Sequence, residues 1–125
     1  MEIELRYELN KITEIKDNIY PTNAPIGLTR PYVVYYRTDS ETDKTFEGYN
    51  TMKSAEYVLS VMATKYSDMR SIVDKIHNLL ISLPLTYIGE SDTIYVKDLV
   101  IDGTDDIWEK DLKVNRGVIN FTIYY

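Results

Sequence analysis

Hydrophobic residues recur along the chain at two spacings, one typical of helices and the other of strands. The helical spacing appears first near the amino terminus, where steps of four, three and three residues separate Leu5, Leu9, Ile12 and Ile15. Such steps place side chains on one stripe of a helix. The pattern therefore predicts a first helix over residues 2–16.

A longer helical stripe lies in the middle of the chain. Its apolar members are Ile72, Val73, Ile76, Leu79, Leu80 and Leu83. Ser67 can cap the first turn with its hydroxyl, and Asp68 adds a negative charge where the helix dipole favours one. Pro84 cannot continue a helix. The second predicted helix thus begins at Ser67 and ends before Pro84.

The strand spacing is clearest over residues 55–66, where apolar side chains occur on both sides of a period of two. One predicted face consists of Tyr57, Leu59, Val61 and Ala63, and the other of Glu56, Val58, Ser60, Met62 and Thr64. Further strands are predicted from β-branched and aromatic content at residues 32–37, 85–88, 93–102 and 113–125.

Proline, glycine and polar runs predict the connections between these elements. Pro21, Pro25 and Pro31 favour an extended connector over residues 20–30. The polar run 38–44 and the Glu47-Gly48 pair indicate a hairpin tip or a longer loop, and residues 89–92 and 103–106 read as turns.

The order of helix, strands, helix and strands predicts an α+β fold. Short connections favour an antiparallel or mixed β-sheet with the two main helices packed on one side. A chain of 125 residues is of the usual size for one domain, so we expect a single domain over residues 1–125.

Composition excludes several classes of protein. Twenty Asp and Glu against 14 Lys and Arg give a net charge of −6, which disfavours sequence-independent DNA binding. Absence of cysteine removes disulfides, thiolate zinc sites and thiol nucleophiles. The acidic start resembles no secretory signal, and no apolar run approaches the length of a membrane span, so we expect the mature protein to be the whole chain, soluble and without a membrane partner.

Candidate chemistry is sparse. The single histidine, His77, adjoins a core-facing position of the second predicted helix, where a structural role is the simpler interpretation. The alternating acids Asp39, Glu41 and Asp43 resemble the start of a calcium loop, but Lys44 and Asn50 stand where such a loop needs glycine and glutamate. Acidic residues are common in solvent-exposed turns, so neither these acids nor the group Asp102, Asp105 and Asp106 indicates a metal site. We therefore predict no catalytic residue, metal site or cofactor.

Aromatic residues are the distinctive feature, with 12 tyrosines and only 2 phenylalanines. Tyrosine and tryptophan are enriched in binding patches, although about half of those on strands should face the core because neighbours point to opposite faces. The predicted interface residues are Tyr36, Phe46, Tyr49, Trp108 and Tyr125.

Several segments together resemble a known protein family. Residues 19–25 read Ile-Tyr-Pro-Thr-Asn-Ala-Pro, residues 31–36 read Pro-Tyr-Val-Val-Tyr-Tyr, and a strand over 58–66 runs into the second helix. With the amino-terminal helix and a last strand ending Asn-Phe-Thr-Ile-Tyr-Tyr, this order is similar to the tail-completion, or tail-terminator, family of tailed bacteriophages and prophages.

The resemblance implies a structural role. By this resemblance we expect six copies to form a ring at the head-proximal end of the tail tube, where the ring stops tube polymerisation and docks onto the head connector. Expected partners are further copies of the chain, the tail tube protein and the head–tail connector protein, with DNA passing through the ring but not bound specifically. The expected location is the virion tail, after assembly in the host cytoplasm. The resemblance transfers no catalytic residue.

Two other hypotheses remain open from the sequence. A small ligand-binding or regulatory α+β domain would need a concave pocket with converging polar groups. An enzyme using two carboxylates would need two acids in one cleft with strongly shifted pKa values.

Overall fold

The computed structural model describes residues 2–22, 31–45, 48–110 and 113–125, with the backbone alone at 39–45 and 48–53. The chain forms, in order, α1 (Glu2–Leu9), a 3-10 turn (Thr13–Ile15), β1 (Ile19–Pro21), β2 (Tyr32–Thr45), β3 (Gly48–Ala63), α2 (Tyr66–Ser82), β4 (Thr86–Ile88), β5 (Ile94–Val96), β6 (Asp98–Glu109) and β7 (Val114–Tyr124).

Five strands form the main sheet in the order β1-β2-β3-β7-β6, and β4 pairs with β5 in a separate two-stranded sheet. Neighbouring strands of the main sheet are antiparallel except β1, which runs parallel to β2. The sheet is therefore mixed, and the α+β class predicted from the order of elements is confirmed.

One face of the main sheet holds the core. The predicted inner face of β3 is confirmed, because Tyr57, Leu59, Val61 and Ala63 are each at most 1% exposed. Phe121 of β7 lies directly opposite Tyr57 and is buried with it. On the other face of the sheet Val34, Val58 and Asn120 are half-buried, whereas Ser60, Val118 and Thr122 are buried.

The second helix packs its apolar stripe onto this core. Met69, Ile72, Val73, Ile76 and Leu80 of α2 are all buried. Both α1 and α2 contribute to the same buried cluster as the inner face of the sheet. The two main helices thus lie on one side of the sheet, as the sequence predicts.

The predicted start of α2 at Ser67 is wrong. The helix begins at Tyr66, and Lys65 occupies the cap position without a side-chain hydrogen bond to the first turn. Because β3 ends at Ala63, only two residues separate strand and helix. The Tyr66 hydroxyl instead donates to Asp106 of β6 over 3.0 Å, which fastens the first turn to the sheet.

The first helix is shorter than predicted. α1 ends at Leu9, and the amides of Lys11 and Ile12 donate to carbonyls only three residues back. Ile12 then adopts an extended backbone with φ −82° and ψ 111°. The apolar stripe is nevertheless buried throughout, since the 3-10 turn keeps Ile15 at 0% exposure. Spacings of three suit a 3-10 turn as well as a helix.

Residues 38–44, predicted to be a hairpin tip or a longer loop, are part of strand β2. β2 continues to Thr45 and β3 starts at Gly48, with pairs such as Glu41↔Ser54 between them. β7 reaches only as far as Ser54, so the distal part of this hairpin extends beyond the main sheet. Backbone N–H and C=O groups can pair whatever the side chains are, so a polar run can form a strand.

The turn predicted over residues 103–106 is likewise strand. Gly103 pairs with Asn120 and Asp106 with Gly117, and the register shifts by one residue at Asp102. A bulge absorbs one extra residue, so the strand passes through a glycine-containing stretch that resembles a turn. The strand predicted over 93–102 is divided in fact between β5 and β6, which belong to different sheets.

The predicted connector over residues 20–30 begins with two residues of β1, and residues 23–30 lie outside the described part of the chain. Within the described residues no helix combines the length and apolarity that a membrane crossing requires.

Candidate assembly surfaces

A shallow polar groove lies on the sheet face away from the helices. It encloses about 340 Å³ and is lined by side chains of Thr38, Glu56, Asp102 and Asn120, among others. The Thr122 hydroxyl donates to Asp102 over 2.8 Å, and the Thr38 hydroxyl donates to Glu56 over 3.4 Å. Both carboxylates are exposed and already accept hydrogen bonds. The groove therefore places two acids near each other in water rather than in a desolvated cleft.

A second depression of about 260 Å³ lies beside α2. Its lining includes Glu14, Pro31, Asp68 and Ile72. Glu14 forms an ion pair with Lys75 of α2, and hydrogen bonding to that ammonium group lowers the pKa of the Glu14 carboxyl below its ordinary value of 4.5. This pair connects the 3-10 turn to α2 and serves a structural purpose.

Two of the acids considered as metal ligands, Asp102 and Asp106, accept hydrogen bonds from side chains of the protein. Asp106 accepts from Tyr66 and from Arg70, and Arg70 also pairs with Asp74 over 2.9 Å. The hydrogen bond to Asp106 raises the pKa of the Tyr66 hydroxyl. Among the residues that the structure describes, no three His, Asp or Glu side chains are grouped to hold a metal ion. The side chains of Asp39, Glu41 and Asp43 lie outside that description.

His77 is half-buried on α2, beside the core residue Ile76. It lies at the margin of the helix stripe, in the position expected of a structural histidine.

Three of the predicted interface residues, Tyr36, Trp108 and Tyr125, lie within the described part of the chain. Tyr36 is 41% exposed on β2. Trp108 is 56% exposed near the end of β6, which lies three strands away from β2 in the sheet. Tyr125 is half-buried, packs against the core and accepts a hydrogen bond from Arg37 over 3.5 Å. Phe46 and the side chain of Tyr49 lie outside the described residues. Of the three that the structure describes, Tyr36 and Trp108 lie on strands that are not neighbours in the sheet, and the part of all five in an interface stays a prediction.

An exposed apolar surface at the carboxyl end of α2 was not predicted from the sequence. Leu85 is 71% exposed and Tyr87 60% exposed, and Ile81 on the last turn of α2 is 56% exposed. Tyr95 of β5 lies opposite Tyr87, with the ring centroids 5.0 Å apart. The signal in the sequence was the short β4 itself, since a three-residue strand cannot bury both faces.

The architecture belongs to the class of two-layer α+β domains in which helices pack on one face of a sheet. Residues 8–125 match the family model described as tail completion protein gp17. The chain therefore belongs to this family of phage tail proteins, and it is a structural protein of the virion tail.

One solved structure, titled virion of native gene transfer agent (GTA) particle, contains a chain of similar fold. The TM-score is 0.67 at 14% identity, and the match covers 93% of this chain and 82% of that chain. At this identity the likeness establishes the fold. Comparison with curated protein sequences gives no match.

Proposed function

We propose that the protein closes the head-proximal end of the tail tube. In this proposal six copies form a ring that stops polymerisation of the tube protein and then docks onto the head connector. The observation that carries the proposal is the family match, which spans all but the first seven residues of the chain.

The surface of the chain is suited to such a ring. A ring forms through heterologous contacts, in which two different patches of one subunit meet neighbours on either side. Trp108 and the pair Tyr87 and Tyr95 are exposed aromatic surfaces on different elements. Aromatic side chains provide much contact area for little lost rotamer entropy.

The net negative charge of the chain suits a ring through which DNA passes. The net charge is −6, and Asp102 and Asp105 are exposed on the edge strand β6. Like charge on protein and phosphate disfavours retention of the duplex. If these acids line the channel, rings with both residues changed to asparagine retain more DNA in a low-salt binding assay, and unchanged retention contradicts this part of the proposal.

Deletion of the gene from a phage genome tests the central proposal. We expect filled heads without joined tails, and tail tubes of uncontrolled length, in electron micrographs of the lysate. A plasmid copy of the gene should restore tails of uniform length and infectivity. Normal tails in the deletion strain would contradict the proposed function.

A further inference from the structure

The only Asp-Gly pair of the chain, Asp102-Gly103, lies within the edge strand β6. No Asn-Gly pair occurs in the sequence. When glycine follows aspartate, the next backbone nitrogen can approach the side-chain carboxyl group closely, because glycine has no side chain to obstruct it. The pair is therefore a candidate site for a covalent change in the main chain.

Asp102 lies at the position of β6 where the register with β7 shifts. The pairs on either side of it are Ile101 with Phe121 and Gly103 with Asn120. Asp102 therefore has no partner residue on β7, as is usual for the extra residue of a bulge. β6 is also the last strand of the main sheet, and no described strand pairs with its other side. The backbone of Asp102 is thus less constrained than that of a residue within a regular ladder.

The surroundings of the pair are open. The Asp102 side chain is exposed and lines the shallow polar groove of the sheet. Its carboxyl group accepts a hydrogen bond from the Thr122 hydroxyl over 2.8 Å. A Cβ placed on Gly103 would meet nothing within 4 Å. Neither close packing nor exclusion of water therefore protects the pair.

We propose that Asp102 isomerises slowly to isoaspartate in the folded protein. The Gly103 nitrogen attacks the Cγ atom of the protonated Asp102 carboxyl group, and a C–N bond forms that closes a succinimide ring. The hydroxyl of the carboxyl group leaves as water, together with the proton of the Gly103 nitrogen. Water then opens the ring. Cleavage of the Cγ–N bond restores aspartate, whereas cleavage of the bond between the nitrogen and the Asp102 main-chain carbonyl carbon gives isoaspartate.

The bulge is the feature that permits this reaction without unfolding. The reacting groups belong to adjacent residues, so the step is intramolecular and requires only water. Ring closure needs a rotation of the Asp102 backbone and side chain until the Gly103 nitrogen and the Cγ atom are about 3 to 3.5 Å apart. A residue within a regular ladder cannot make this rotation without breaking backbone hydrogen bonds, whereas Asp102 has no partner residue on β7.

Isomerisation alters the part of β6 that fastens α2 to the sheet. In isoaspartate the main chain passes through Cβ and Cγ, so β6 gains one backbone atom, and the carboxylate moves to Cα without a change in charge or mass. The strand beyond the bulge includes Asp106, which accepts hydrogen bonds from Tyr66 and Arg70 of α2. The added atom displaces this segment relative to β7. A finished virion makes no new protein, so the product accumulates as the particle ages.

Peptide mapping of the full-length chain tests the proposal. After incubation for several weeks at 37 °C and pH 7, trypsin should release residues 98–110 as one peptide, because Lys97 precedes it and Lys110 ends it. Electron-transfer fragmentation then distinguishes isoaspartate from aspartate at residue 102. We expect isoaspartate there, and on the order of tenfold less or below in the variant Gly103→Ala, because a methyl group obstructs the attacking nitrogen. Asp92, which is exposed in a turn but followed by threonine, is the internal control and should also react at least tenfold less.

Asp102→Asn enters the same succinimide by another route. Its amide loses ammonia in place of water, so the variant should form both aspartate and isoaspartate at residue 102, and faster than the unmodified chain does. Rings with this substitution therefore have to be assayed for DNA retention soon after purification. Absence of isoaspartate from this variant would overturn the proposal.

A synthetic peptide of residues 98–110 shows whether the folded chain itself reacts. The peptide has no fold, whereas at the ordinary stability of a domain fewer than about one molecule in a thousand is unfolded. Isomerisation of the full-length chain should be within roughly tenfold of the peptide rate if the bulge permits it. A slower rate, approaching the roughly thousandfold reduction expected when only unfolded molecules react, would overturn the proposal. Equal amounts of isoaspartate in Gly103→Ala and the unmodified chain would also overturn it, and neither result bears on the role in the tail.

Discussion

Gly117 of β7 lies directly beneath Val73 of α2, and a Cβ placed on Gly117 would be 2.5 Å from the Val73 Cγ2 atom. The Met69 sulfur would be 2.6 Å away. Both neighbours are buried, and valine is stiff at χ1, so the contact cannot be relieved by a simple side-chain rotation. The helix α2 can therefore approach β7 this closely because Gly117 has no side chain.

Substitution of Gly117 by alanine should destabilise the fold. Overpacking of a core typically costs about 1 to 3 kcal/mol, and we expect a loss of that size in the free energy of unfolding. Gly103→Ala is the matched control, because a Cβ there meets nothing within 4 Å. Urea denaturation of the two variants checks the prediction, which fails if they are equally stable.

Replacement of Tyr57 by phenylalanine should stabilise the protein. The Tyr57 ring stacks on Phe121 with centroids 5.7 Å apart, and its hydroxyl is buried with no hydrogen-bond partner in the described part of the chain. An unsatisfied buried hydroxyl costs about 1 kcal/mol or more, so we expect Tyr57→Phe to gain on the order of 1 kcal/mol. Tyr125→Phe, which removes the hydroxyl bonded to Arg37, should bring no such gain. Lower stability of Tyr57→Phe would contradict the expectation.

The same hydroxyl predicts a loss of stability in alkali. Burial raises the pKa of Tyr57 well above the ordinary 10. Because the folded state favours the neutral phenol and the unfolded chain ionises near pH 10, the free energy of unfolding is unaffected by this group below pH 10 and falls as the pH rises above it. Denaturation between pH 9 and pH 11 should show a smaller loss for Tyr57→Phe than for the unmodified chain. Parallel losses would be inconsistent with a buried phenol.

The ion pair between Glu14 and Lys75 predicts that the stability of the fold decreases in acid. Its hydrogen bond lowers the pKa of Glu14, so the stabilisation is present above the unfolded pKa of about 4.5 and disappears as the pH falls through the folded value. Glu14→Gln should therefore be less stable than the unmodified chain at pH 7, and the difference should close in acid. Thermal denaturation across pH 3 to 7 measures this, with Glu90→Gln, an exposed turn residue, as the charge-matched control. A difference independent of pH would contradict the assignment.

Much of the fold can be predicted from the spacing of apolar residues, because one face of each long element is buried. The inner face of β3 and the stripe of α2 follow directly from alternation and helical periodicity. That signal is absent from the polar run 38–44 and from the stretch around Gly103. The strand pairing over residues 39–45 and 48–53 and the bulge at Asp102 were therefore not predicted.

The assembly surfaces could be predicted only in part for a related reason. Trp108 is conspicuous in the sequence, and it is exposed as expected. Leu85 and Tyr87 resemble ordinary strand residues, and only the short β4 and the positive φ of Leu85 place their side chains in solvent. Tyr125, by contrast, is half-buried because the chain end continues β7 against the core.

The most direct test of the proposed function is a reconstruction of the head–tail junction of the assembled virion by cryo-electron microscopy. The account predicts density for this α+β fold as a single ring, six copies around the channel, between the last tube ring and the connector. Density for the fold at the tail tip, or a tube ring in direct contact with the connector, would contradict it.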